Sequence, residues 1–216
     1  ISIFDTVSIL ANKVFSVPLL DGIDPKQVTI IWNLRLPRVL LAFMVGGSLA
    51  ASGAIVQSVL KNQLASPYTL GLSSGASLGV GIIIVTGVSI PFLGRLTLPI
   101  VGFACSLVTM IIVLKFSENV DKGLSNTTII LAGMVLSLFF SATLTTISAL
   151  ASDKMQSITM WSMGSFSMRG WSYVKAGLPF FIIGLLGVSF YFKEMDVLTF
   201  GEDEAKAIGV DTNKVK

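Results

Sequence analysis

VLLAFMVGGSLAASGAIVQSVL, residues Val39–Leu60, decides how the rest of this sequence is read. It holds no Asp, Glu, Lys or Arg, and its middle is rich in Gly, Ala and Ser. About 20 consecutive apolar residues cross a ~30 Å hydrocarbon core as a helix. In lipid a helix also satisfies its own backbone hydrogen bonds. Four more uncharged runs follow, at Thr69–Ile90, Leu96–Leu114, Thr127–Ala151 and Ala176–Phe192. The composition agrees: 53% of the 216 residues are hydrophobic and 12% charged, against roughly 25% charged in soluble domains. A buried soluble bundle would need more polar surface than five such runs leave. The reading is an all-α polytopic transmembrane helix bundle, 1–216 forming one membrane domain. Gly46-Gly47-Ser48 and Ala50-Ala51-Ser52-Gly53 supply the small residues that let membrane helices approach closely.

The charged residues lie between the runs. Residues 1–34 are mixed and amphipathic, with turn signals at Asp21-Gly22 and Asp24-Pro25, and read as an interfacial segment before the first span. Arg35-Leu36-Pro37-Arg38 is expected to open that span, since proline is tolerated in a first helical turn. Arg35 and Arg38 are three apart and can share one side. Two readings stand: snorkelling anchors, which the spacing alone favours, or a docking pair for a partner's carboxylates. Residues 152–173 are too polar to span, and their tryptophans suit a membrane interface. Lys115–Asn126 reads as a polar connection. The hydroxyls of the fourth run, Ser137, Ser141, Thr143, Thr145, Thr146 and Ser148, either bond back to their own helix or form a wet stripe. Residues 193–216 hold half of the acidic residues, and Gly201–Val210 reads as a short amphipathic helix with a glycine stop. Cationic residues divide seven to eight between the two sides, so the positive-inside rule leaves the orientation open.

Several chemistries are excluded. Gly71-Leu72-Ser73-Ser74-Gly75 matches G-x-S-x-G, but the chain has no histidine to serve as base. No His/Cys/carboxylate cluster suggests a metal site, no P-loop is present, and no catalytic residue or cofactor is expected. Cys105 is the single cysteine and reads as a packed apolar residue. Ion-coupled transporters place ionisable groups inside the membrane, and these spans hold none.

Taken in order, Arg35-Leu36-Pro37-Arg38, Gly53–Gln57, Asn62–Pro67, Leu70–Ala76, Leu131-Ala132-Gly133, Trp161–Ser165 and Gly201-Glu202 with Ala205 and Ile208-Gly209 resemble the FecCD-type ABC transporter permease family, which imports vitamin B12, ferric siderophores and haem. The resemblance covers essentially the whole chain. It implies a ten-helix subunit of a bacterial or archaeal cytoplasmic membrane, of which this chain carries about five helices, the second to the sixth. Both ends accordingly look like cuts in a longer protein. It also implies a second permease subunit (a homodimer or a close homologue), a separate ABC ATPase subunit and an extracytoplasmic substrate-binding protein, with membrane lipid around them and no role for nucleic acid.

By the same resemblance, residues 1–35 face outward, 36–192 hold the transmembrane helices and 193–216 form a cytoplasmic coupling region. Arg35 and Arg38 dock the binding protein. Asn62, Leu64, Asn126 and Thr127 stand at a cytoplasmic gate. Gly201, Glu202, Ala205, Ile208 and Gly209 lead into the ATPase contact. Gln63 and Ser66 depart from the proline and the acidic residue common at those positions. The function implied is import of an iron(III)-siderophore, or a haem- or cobalamin-like chelate, by alternating access. The rivals are a secondary transporter or channel independent of an ATPase, and a non-transporting scaffold.

Overall fold

The computed structural model describes residues 1–19, 22–123, 125–201, 207 and 209. Nine α-helices are described: α1 (Ile3–Phe15), α2 (Pro25–Thr29), α3 (Leu36–Leu60), α4 (Leu72–Thr86), α5 (Thr97–Val120), α6 (Asn126–Leu150), α7 (Met155–Met163), α8 (Trp171–Phe190) and α9 (Phe192–Phe200). The described residues contain no strand. Four helical stretches are long and apolar enough to cross a membrane: Pro25–Leu60, Gly94–Val120, Asn126–Leu150 and Trp171–Phe190. This is an all-α, multi-pass transmembrane protein. Contacts divide it into two units, residues 1–49 with 165–187, and residues 50–164 with 188–216.

In the first unit, α1 begins with a capping box. Ser2 Oγ accepts from the Phe4 N–H, and Asp5 Oδ2 accepts from the Ser2 N–H at 2.9 Å. Such reciprocal bonds satisfy donors that a helix start leaves open. Ile3, Val7 and Val14 lie on one side, exposed with Phe4 and Phe15, while Ile9 is buried. An apolar stripe of this kind fits a helix lying at an interface.

The first span starts earlier than expected. Asp24 caps α2 by accepting from the Lys26 N–H at 2.8 Å, and Pro25 takes the first position, so the helix starts here. Helical backbone then runs unbroken for 36 residues to Leu60. Arg35-Leu36-Pro37-Arg38 therefore sits inside the run instead of opening it. Proline is tolerated there because Ile30–Arg35 is a π-helical turn, in which the Leu36 N–H bonds to the Ile31 carbonyl. The wider turn relieves the clash a proline ring makes in a regular helix. Further along, Leu41 and Met44 pack with Val174 of α8, and Gly47 admits the Phe181 ring to 3.3 Å from where a Cβ would stand.

The second unit is built on glycines. Gly75 and Gly79 of α4 lie so close to Thr109 and Cys105 of α5 that a Cβ on either would overlap those side chains. Gly71, Gly75 and Gly79 recur every four residues, the spacing that puts small residues on one face of a membrane helix. Cys105 is thus a packing residue. Trp161 of α7 rests on Gly102, so this tryptophan is packed on protein. The Thr69–Ile90 run yields only the 15-residue α4, about 22 Å long. Gly71 and Gly87 end it, with φ of 79° and 67°, a backbone state open to glycine at little cost. Conversely, α5 continues through Lys115 to Val120, where a polar connection was expected. In this extension Lys115 is exposed, while Ser117 is fully buried and donates its hydroxyl to the Val113 carbonyl at 2.7 Å.

Candidate functional site

Arg35 and Arg38 are both exposed and have no ion-pair partner among the described residues. Each follows or precedes Pro37 within two positions, on the helix that the π turn reshapes. The first unit carries six cationic residues and three acidic ones, so the chain's whole net charge of +3 resides there. Asp5 and Asp24, two of the three acids, are already spent as helix-cap acceptors. Exposed cations without local counter-charge are available for a partner's carboxylates.

In the second unit the connection between α3 and α4 is tightly tied. Asn62 Oδ1 accepts from the Leu64 N–H at 2.9 Å, and the Asn62 N–H donates to the Gln57 carbonyl. Gln57 Nε2 reaches over to the Gln63 carbonyl at 3.0 Å. Ser66 and Thr69 exchange side-chain and backbone bonds. Leu64 is left 87% exposed at the tip, while Ala65 and Leu70 are buried with Leu60, Val113, Ile129 and Ala132. Gly133 explains the closeness: a Cβ there would stand 2.5 Å from the Thr69 carbonyl oxygen. The Leu131-Ala132-Gly133 motif is thus the seat on which the 61–71 connection rests.

Asn126 and Thr127 open α6 two turns before that seat, so the same end of the unit holds all four gate candidates. The turn ahead of them is organised by Asp121. Its carboxylate accepts from the Gly123 N–H at 2.9 Å, the Ser125 N–H at 3.2 Å and the Thr128 hydroxyl at 3.4 Å. Ser125 Oγ caps the helix and lies 2.8 Å from Thr128 Oγ1. Bonds from Ser125 first, then from Gly123, hold the Asp121 carboxyl below its usual range, because each favours the ionised form.

Along α6 the hydroxyls of Ser137, Thr143, Thr145, Thr146 and Ser148 donate to carbonyls four residues back. That back-bonding is the first of the two readings the sequence left open. Ser73, the serine of the G-x-S-x-G match, is exposed on a helix whose glycines serve packing.

An open cleft of about 670 Å³ lies between the end of α3 and α9, with Gln57, Lys61, Asn62, Phe192 and Asp196 on its walls. Ser58 Oγ donates to the Met195 carbonyl at 2.8 Å and ties the two helices together. The α9 helix ends at Gly201. Glu202, Ala205 and Ile208 lie outside the described residues, and with them most of the amphipathic helix expected at 201–210. The sequence did not single out Ser58 or Asp121, and it gave Trp171 only the reading of an interfacial aromatic. Asp121-x-Gly123-x-Ser125 has the pattern of a side-chain-stabilised turn, and that signal was readable.

The model of the FecCD transport family matches residues 1–216. The chain belongs to this family. Among FecCD-related proteins it is 45% identical, over 89% of its length and 55% of the relative's, to YvrB, an ABC transporter permease protein of Bacillus subtilis. It is 37% identical, over 86% of its length and 56% of the relative's, to the hemin transport system permease protein HmuU of Yersinia pestis. It therefore spans about half the length of the relatives it matches. A solved structure described as an inward-facing metal-chelate type ABC transporter superposes with a TM-score of 0.75 at 32% identity. That match covers 97% of this chain and 68% of the other.

Proposed function

We propose that this FecCD-family chain forms part of the permease subunit of a binding-protein-dependent ABC importer. The subunit sits in a bacterial or archaeal cytoplasmic membrane and moves an iron(III)-siderophore, or a haem- or cobalamin-like chelate, by alternating access. A separate ATPase drives it, so the chain performs transport and no catalysis of its own. The observation that carries this reading is the family match over the whole chain, supported by the likeness to a metal-chelate type transporter.

In this reading residues 1–35 and 152–175 face outward. Arg35 and Arg38 receive carboxylates of the substrate-binding protein, supported by their exposure and the local excess of positive charge. Residues 61–67 and 193–216 face the cytoplasm. Asn62 and Leu64, with Asn126 and Thr127, form the inner gate, held by the Gln57, Ser66–Thr69 and Asp121 bonds. Gly201 to Gly209 pass the motion of the ATPase to the helices, and a second permease subunit completes the pathway. Absence of fixed charge from the long uncharged runs, Val39–Leu60, Leu96–Leu114 and Thr127–Ala151 among them, suits a large chelate, because conduction needs binding weak enough to release.

The test is uptake into vesicles holding the full-length permease, its ATPase and its binding protein, with ferric siderophore, hemin and cobalamin as alternative substrates. ATP-dependent accumulation of one of them is expected. Accumulation that persists without the ATPase and collapses with the ion gradient would refute the reading in favour of a secondary transporter.

A further inference from the structure

Pro37 leaves a carbonyl group without a donor. In a helix of regular spacing the Trp32 carbonyl accepts from residue 36, and in a π turn it accepts from residue 37. The Leu36 N–H is given to Ile31 instead, and residue 37 is a proline with no N–H to offer. A buried or half-buried carbonyl in an apolar setting does not stay unpaired without cost. Its partner comes from 139 positions away in the chain: Trp171, the first residue of α8, donates its indole N–H to the Trp32 carbonyl at 2.9 Å. The two indole rings also pack together, with centroids 5.1 Å apart and planes tilted by 43°.

An interfacial tryptophan usually keeps its N–H for headgroups and water. Here that donor is spent on the one backbone acceptor that the proline released. The residues on either side of the proline are Leu36 and Arg38, with Arg35 closing the π turn. The segment that supplies Trp171 is itself fixed: Arg169 lies 4.6 Å over the Tyr173 ring and donates to its hydroxyl at 2.6 Å.

We infer that Trp171 is a positioning residue for the Arg35/Arg38 pair. Its indole N–H replaces the hydrogen bond that Pro37 removes, and so holds the widened turn that sets where both guanidinium groups point. This rests on the docking role proposed for those arginines. The chemistry makes the tryptophan specific: phenylalanine and tyrosine can fill the space against Trp32 but present no donor at that position.

The experiment is a double-mutant cycle in the full-length permease, read as the Kd for its binding protein. Trp171→Phe keeps an aromatic ring and removes the donor. Pro37→Ala restores an N–H at residue 37 that can take the Trp32 carbonyl. Trp171→Phe is expected to weaken docking roughly fivefold beside Pro37, the ratio one net hydrogen bond supports, and by less than about twofold in the Pro37→Ala background. Ultraviolet resonance Raman of the Trp171 indole, isolated by difference against Trp171→Phe, should show a bonded N–H that weakens in Pro37→Ala. Equal Trp171→Phe effects in the two backgrounds, or a lowered unfolding temperature with docking unchanged, overturns the inference. Arg35→Glu with Arg38→Glu separates the two ideas. If docking survives that reversal, the docking reading itself falls; if docking is lost there and Trp171→Phe is silent, only the positioning role falls.

Discussion

Replacing Gly133 with alanine puts one methyl group where the chain has left no room for it. The new Cβ would stand 2.5 Å from the Thr69 carbonyl oxygen, 2.8 Å from Leu70 Cα and 3.2 Å from the Leu70 carbonyl carbon. All three are backbone atoms, so no rotamer change relieves the overlap and the 61–71 connection itself must move. Forcing a methyl into a packed site costs about 1–3 kcal/mol, and the rigid obstacle argues for the upper part of that range. Alanine recovers up to about 1 kcal/mol over glycine in a helix interior. The net expectation is a loss of about 1–2 kcal/mol. Gly184→Ala in α8 is the control, because nothing lies within 4 Å of its Cβ position; it should be neutral or slightly stabilising. Thermal unfolding of the full-length protein in detergent measures both. Because Asn62 and Leu64 sit on the displaced connection, uptake by Gly133→Ala should fall more than its stability loss accounts for. Equal unfolding temperatures for the two variants would refute the claim that the connection is seated on Gly133.

Other outcomes follow from the same structure. Reversing Arg35 and Arg38 to Glu should abolish binding-protein docking and uptake while membrane insertion stays normal; raising salt should weaken docking of the unmodified protein, since exposed charges are screened. The folded Asp121 carboxyl is held below the usual range of an aspartate, by bonds from Ser125 and then Gly123. Its contribution to stability is therefore present above that range and fades as pH falls through the lower folded value. Asp121→Asn should flatten this acid limb, and hydrogen exchange at Ser125 and Thr128 should quicken. Thr145→Val in α6 should change stability by no more than about 0.5 kcal/mol, because its hydroxyl serves only its own helix and the site is exposed; uptake measured alongside should be unaffected, and a strong loss would restore the wet-stripe reading.

The transmembrane helices were legible because uncharged runs are a sum over about 20 residues, and one misread position changes little. Their ends were less so. Arg35-Leu36-Pro37-Arg38 carries a strong local start signal, yet a helix already launched by Asp24 and Pro25 passes through it by widening to a π turn. Lys115 suggested a loop, but it sits exposed on α5, which runs on past it to Val120. In the Thr69–Ile90 run, hydropathy could not reveal that Gly71 and Gly87 take a left-handed backbone and cut the helix to 15 residues. For the candidate site, the motif order pointed to Arg35, Asn62 and Asn126. What holds them in place was less visible, because Trp171 and Gly133 act across long stretches of chain. Such pairings depend on which helix faces which, and no single window of sequence contains that information.

The shortness of α4 has an electrical consequence. A membrane potential drops almost wholly across the insulating layer, at ~2.3 kcal/mol per elementary charge per 100 mV. At about 22 Å, α4 is shorter than a ~30 Å hydrocarbon layer, so the turns at Gly71 and Gly87 have to cover the rest of that distance. The glycine contacts of Gly75 and Gly79 with Thr109 and Cys105 then act as a dielectric seal. They leave no space between α4 and α5, so a side chain placed at Gly75 or Gly79 should part the two helices and raise ion leak across the membrane.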